Sequence, residues 1–353
     1  MQTSKQVRSA VGGGLDGNML FHCDNLDCIR YLEKNGFGGR VDLVYIDPPF
    51  QSGEQYYYRT RNRSGIAFKD VWRKPSEYFE MLEPRFKEIR ELISPTGSIF
   101  VHLDWHSMHY VKVMLDRIFG PGNFRNEIIV KRGRRKNLQY QFTSIDRMHN
   151  AYDSILWYSK SEEAKFSLPL VRQRTEAKWM GFWSNINRPT MRYEIFGYTP
   201  ERGQWKWSKD RASEAIENYK LYKKRFAQKM GLEEYWEVDR SREFIRKRDS
   251  VKYPEYWIPP KTHRILDNVW LDVEAYSYTT GYGTQKHEAL LERIISQFSQ
   301  PGGIVADFFC GSGTTLAVAE KLGRRWIGTD SSANAISVTK KRIGRSDFAL
   351  FRM

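Results

Sequence analysis

Short runs of apolar residues, four of them closed directly by an aspartate, alternate along this chain with stretches in which apolar residues return every third or fourth position. The runs are Met19 to Cys23, Val41 to Ile46, Ser98 to Leu103, Asn126 to Val130, Gly303 to Phe309 and Arg325 to Thr329. Such short runs, rich in β-branched and aromatic residues, predict strands buried on both faces, as in a parallel sheet. Between them, Leu26, Ile29 and Leu32 follow a helical period, as do Phe79, Leu82, Phe86, Ile89 and Ile93, a series that Pro95-Thr96-Gly97 ends. A third helical pattern follows Thr315 and runs through Leu322. Strands and helices in alternation predict an α/β fold with a doubly wound, mostly parallel sheet.

In open α/β sheets the carboxyl ends of the strands form the edge where ligands bind, and several of these runs stop at an acid. Val41 to Ile46 leads into Asp47-Pro48-Pro49-Phe50. The prolines end the strand and donate nothing, so their carbonyls stand as acceptors beside the Asp47 carboxylate. One amino group could give both its hydrogens there, with Phe50 as a flat face for a planar heterocycle. Taken alone, these four residues fit a plain strand-ending turn equally well.

A second motif separates the two readings. The strand containing Asp307, Phe308 and Phe309 runs into Cys310-Gly311-Ser312-Gly313-Thr314-Thr315 and then a helix. Glycines permit close backbone approach and a helix start offers unpaired amides, which together make a nucleotide-type cradle. The following strand ends at Asp330, 19 residues after Gly311, near the ~20 expected of an acid that binds ribose hydroxyls. Asp24, after the first strand, fits a helix N-cap or a ligand contact.

With both motifs present, the sequence resembles the S-adenosylmethionine-dependent amino-group DNA methyltransferases of the β order, of bacterial restriction-modification type. The resemblance covers nearly the whole chain outside 131–265. It implies a Rossmann-like methyltransferase sheet with an inserted α+β target-recognition domain, and a catalytic set of Asp47, Pro48, Pro49 and Phe50. S-adenosylmethionine would be held by Asp307, Phe308, Phe309, Cys310, Gly311, Ser312, Gly313, Thr314 and Asp330. Asp24 and Asn25 would lie near its adenine. Thr284, Gln285 and Lys286 look like the family's further cofactor motif. His287 and Phe308 depart from the pattern, each standing where the family usually has proline. The implied reaction is methylation of the N6 amine of a flipped adenine, since serine at position 47 is commoner for N4-cytosine, the nearest alternative. The implied partner is double-stranded DNA; a cognate restriction endonuclease and a homodimer are associated with the family. An inactive nucleic-acid-binding protein on this fold would not need these motifs intact, and a nicotinamide dehydrogenase would leave Asp-Pro-Pro-Phe without a task.

Charge agrees with a nucleic-acid partner. The 353 residues carry a formal net charge of +15, and 131–265 hold 30 lysines and arginines against 17 acids, with seven of the eleven tryptophans. That segment opens with Lys131, Arg132, Arg134, Arg135 and Lys136, candidate phosphate contacts, as are Lys223-Lys224-Arg225 and Arg246-Lys247-Arg248. The expected division is therefore 1–130, a catalytic half; 131–265, a target-recognition insertion closing near Pro259-Pro260-Lys261; and 266–353, a cofactor half. Residues 1–17 read as a loose polar arm, and Gln51 to Asp70 as an irregular loop fit to act as a lid. No apolar run approaches the ~20 residues of a membrane span and no signal-peptide pattern opens the chain, so the expected location is the cytoplasm. Three cysteines are too few for a disulfide framework, and His102, His106 and His109 lack the ligand set of a metal site.

Overall fold

The computed structural model describes residues 16–353 apart from 54, 60–63, 134–147, 149, 165, 167–168, 278–284 and 345–346. The polar arm thus lies almost wholly outside the described residues. The chain divides into two compact units, 1–169 together with 267–353, and 170–266.

The first unit is built on nine strands in one sheet. In chain order they are β1 (Asn18–His22), β2 (Val41–Ile46), β3 (Ile93–Leu103), β4 (Phe124–Lys131), β5 (Tyr152–Ser159), β6 (Val269–Glu274), β7 (Ile304–Asp307), β8 (Arg325–Asp330) and β9 (Phe348–Arg352). Across the sheet they run β6-β4-β5-β3-β2-β7-β8-β1-β9. Only β5 is antiparallel to its neighbours. The chain leaves β2 towards β3 on one side and leaves β7 towards β8 on the other, so the order reverses between β2 and β7. Those two strands pair in parallel, Val44 opposite Ala306. Their carboxyl ends open at the switch point, where such sheets bind ligands.

Helices α1 (Asn25–Leu32), α2 (Pro75–Leu92), α3 (Met108–Phe119), α4 (Glu288–Phe298), α5 (Thr314–Lys321) and α6 (Ala333–Ile343) make the crossovers. Their starts are locally encoded: Asp24 accepts the Leu26 N–H at 2.8 Å, and Pro75 occupies the first turn of α2, where its missing donor costs nothing. Val44, Ile46, Ile99, Val101 and Ala306 are fully buried, as the uninterrupted apolar runs require.

Three expectations differ from the structure. Ile93 opens β3 instead of closing α2. Between Gln51 and Asp70 the backbone forms an antiparallel hairpin, Gln55–Arg59 against Ser64–Lys69. Charge marked the insertion from 131, but the compact unit begins at Leu170 because β5 is part of the central sheet.

The second unit, 170–266, contains helices Lys209–Arg225 and Leu232–Val238 and short antiparallel ladders. Its tryptophans mainly form its own core: Trp205 stacks on Phe182 at 5.6 Å, and Trp257 packs edge-on against Phe244 at 5.6 Å. Arg246 and Arg248 both pair with Glu255, at 3.0 and 2.7 Å, and so are not free phosphate contacts. A cavity of about 450 Å³ is ringed instead by Lys220, Lys223, Lys224 and Lys247, with Phe196 and Tyr219 in its wall.

Candidate active site

Asp47 follows β2 and Asp307 ends β7, so pairing of these strands brings the two predicted motifs together. The Asp47 Oδ2 atom lies 2.7 Å from Lys286 Nζ. Its Oδ1 atom is buried with no hydrogen-bond partner. Lys286, only 6% exposed, has its ammonium 4.2 Å from the ring centre of Tyr276 and 5.1 Å from that of Phe50. A cation over aromatic faces and beside a carboxylate is held from several sides.

Phe50 is placed by a residue the sequence reading passed over. The fully buried Asp70 accepts the N–H groups of Phe50 and Ser52 on Oδ2 at 3.0 and 2.8 Å, and that of Gln51 on Oδ1 at 2.9 Å. It also accepts the Ser52 hydroxyl and the Trp72 indole N–H. Gln51 has φ +61°, a conformation rare for side-chain-bearing residues, which these bonds hold in place.

Behind Phe50 runs a buried polar chain. Tyr45 Oη lies 2.8 Å from His102 Nδ1, and His102 Nε2 lies 3.3 Å from Asp153 Oδ2. Arg132 Nε closes the chain 3.2 Å from Asp153 Oδ1. Burial, and next the Lys286 charge, push the His102 pKa below its ordinary value. Against the opposing effect of burial, the His102 hydrogen bond and the Arg132 charge keep Asp153 below the usual carboxylate range. Arg132, expected to contact DNA, thus turns inward to a buried carboxylate. Lys131 ends β4, while Arg134, Arg135, Lys136 and Thr284 lie outside the described residues.

The glycine turn has the geometry its sequence predicts. Gly311 and Gly313 have φ of +50° and +73°, and a Cβ on Gly313 would come within 2.6 Å of Thr339 Oγ1. Asp330 accepts the Gly311 N–H at 2.9 Å and the Ser332 N–H at 2.8 Å, so it fixes the turn as well as facing the ligand edge. Asn25 donates to the Phe308 carbonyl at 2.9 Å. Asp24 combines its cap with a two-oxygen pair to Arg85, at 2.9 and 2.8 Å, which favours the structural of its two readings. Phe308 is fully buried, Cys310 and Ser312 nearly so, and the Ser312 and Thr314 hydroxyls meet at 3.3 Å. Gln285 is buried beside Lys286. His287 caps α4, its Nδ1 accepting the Ala289 N–H at 3.2 Å, which gives this departure a local purpose. Among the described residues no cluster could hold a metal ion.

Asp307 accepts the Phe309 N–H and the Thr315 hydroxyl, yet burial raises its pKa from 3.8 to about 7. The folded protein therefore binds more protons than the unfolded chain between those values, and the stability from this group is lost as pH rises through about 7. Asp307→Asn is expected to flatten the decline of Tm between about pH 4 and 7. Parallel Tm profiles of parent and variant would show that Asp307 does not titrate there.

A mostly parallel sheet with a glycine turn and an acidic proline turn at its switch point is the architecture of a nucleotide-binding α/β fold. The profile of the N6/N4 family described as "DNA methylase" matches residues 41–341, and the chain belongs to this family, whose members use S-adenosylmethionine. It is 28% identical over 325 residues to the type II methyltransferase M.EcaI of Enterobacter cloacae, across 88% of this chain and 66% of that one. It is 26% identical over 340 residues to the StyLTI Mod subunit, a type III restriction-modification enzyme of Salmonella typhimurium, across 84% of this chain and 49% of that one. In fold it is similar to the PvuII DNA methyltransferase (cytosine-N4-specific), with TM-score 0.52 and 14% identity over 94% of this chain and 88% of that one. The chain thus spans about two thirds of the length of the first of these curated relatives and about half of the second.

Proposed function

We propose that this protein transfers a methyl group from S-adenosylmethionine to the N6 amine of adenine in duplex DNA, in the cytoplasm and as part of a restriction-modification system. The observation behind this reading is the buried, unpartnered Oδ1 of Asp47, the residue that leads directly into Pro48, Pro49 and the buried Phe50. When bound, the cofactor supplies an electrophilic methyl on a sulfonium. The Gly311 to Gly313 turn, Asp307 and Asp330 are the residues that would hold it. An aromatic amine is a poor nucleophile because its lone pair is shared with the ring. Asp47 Oδ1 and the Pro48 carbonyl would accept its two hydrogens and concentrate the lone pair on nitrogen. The same carboxylate oxygen can take the proton that the nitrogen sheds on gaining a carbon. Reaching that pocket requires flipping the base out of the duplex, at a few kcal/mol, and Phe50 offers the ring face that receives it.

Asp47, where serine is commoner among cytosine enzymes of the family, favours adenine. Nucleoside analysis of DNA methylated by the protein should yield N6-methyladenine. N4-methylcytosine would reassign the base, and unmodified DNA would remove the activity.

The unit 170–266 supplies the DNA contacts in this reading, through the lysines around its cavity. Protein–DNA affinity changes with salt by roughly −0.9 log units per phosphate neutralised, so Lys223→Ala with Lys224→Ala should flatten the slope by up to about 1.8. An unchanged slope would place both lysines off the DNA.

A further inference from the structure

We infer that Lys286 is a positioning residue for the methyl-transfer step, acting through Asp47: its ammonium occupies one carboxylate oxygen so that the other is presented to the target amine. The inference rests on the proposed activity and assigns Lys286 a task other than cofactor binding. Four features of the site support it. Lys286 Nζ is 2.7 Å from Asp47 Oδ2, while Oδ1 is buried and unpartnered. The ammonium is enclosed between the rings of Tyr276 and Phe50, so it cannot swing away without losing both faces. Lys286 is fixed at its own backbone, since Tyr276 bridges to it in antiparallel fashion and the Ser277 N–H donates to the Gln285 carbonyl at 2.9 Å. Finally, the Phe50 ring that flanks the ammonium is itself pinned, by Asp70 on the backbone side and by His102 stacked at 6.1 Å behind it.

The geometry divides the carboxylate into two tasks. A carboxylate accepting on one oxygen only is free to rotate about its last bond, and an amine bound to it shares that freedom. With Oδ2 held by a caged cation, Oδ1 has one direction, and misplacement of about 1 Å at a reacting centre can cost 10²-fold in rate. The pair is also a largely buried charge pair, so removing either member alone strands the other. Removing both leaves no stranded charge.

That coupling provides a readout independent of catalysis. Lys286→Met should lower Tm in the parent, because it strands Asp47, yet raise Tm in an Asp47→Ala background, where it removes a stranded ammonium. In steady-state assays Lys286→Met should lower kcat by about 10–100-fold at saturating cofactor, with the cofactor Kd from calorimetry within about threefold of the parent. Lys286→Arg, which keeps the cation, should recover most of that loss. A Tm change of the same sign in both backgrounds would overturn the inference. So would a defect confined to cofactor Kd, which would return Lys286 to the cofactor motif. Failure of the parent to methylate DNA would sink the proposed function instead, while the Tm comparison would still decide whether the two side chains act as a unit.

Discussion

Asp47→Asn is expected to reduce methyl transfer by at least about 10²–10³-fold, the scale seen when one preorganised hydrogen-bonding group is removed from a reacting centre, while DNA and cofactor binding stay near parental levels. Asparagine preserves shape and can still accept from Lys286. Its amide nitrogen, if turned towards the pocket, presents donors to an amine that needs acceptors. Asp47→Ala is a poorer probe, because it leaves the buried Lys286 ammonium with neither counter-charge nor hydrogen-bond acceptor and so mixes a larger stability defect into the catalytic one. A fluorescent base analogue at the target position separates flipping from chemistry: flipping should persist in Asp47→Asn with transfer lost. Substantial methylation by the purified variant would return Asp-Pro-Pro to being a turn.

The second large effect is expected at Asp70, which touches no reacting group. Five donors converge on its buried carboxylate, three of them backbone amides of the segment 50–52. An unsatisfied buried group costs about 1–3 kcal/mol, so Asp70→Ala should destabilise the protein by at least about 3 kcal/mol. It should also lower kcat, because the chain that carries Phe50 loses its fixed shape. Chemical denaturation together with rates measured well below the transition separates the two. A variant as stable and as active as the parent would show that the 50–52 segment holds its own conformation.

The ends of the central strands were legible because two local rules act there without help from distant residues: short apolar runs make buried strands, and acid, proline and glycine terminate them. Asp47, Pro48, Pro49, Phe50, Gly311, Gly313 and Asp330 follow from those rules. Asp70 did not, since a single acid 20 residues past Phe50 has no pattern around it and its partners are backbone amides. The inward turn of Arg132 was equally hidden. A run of basic residues reads as exposed charge, and only the pairing of β4 with β5 places Asp153 beneath it. Charge also drew the boundary of the insertion too early, because the sequence from Tyr152 to Ser159 belongs to the sheet by pairing rather than by any feature of its composition. Lys286 was legible as part of a motif, but its partner was not, because Asp47 lies far away along the chain.

The way the sheet is threaded has a consequence for how it is made. Val44, three residues before Asp47, pairs with Ala306, and β1 sits between β8 and β9. Both early strands therefore complete their pairing only with partners from the far end of the chain. At a translation rate of about 5–20 residues per second, the roughly 260 residues between Val44 and Ala306 take some 13–50 s to emerge. Throughout that interval the nascent sheet exposes an unpaired apolar edge at its future centre, the kind of surface that recruits holding chaperones or another copy of itself. Overexpression should therefore be limited by this waiting time rather than by the stability of the finished fold, and slower initiation or cooler growth should improve yield more than stabilising substitutions would.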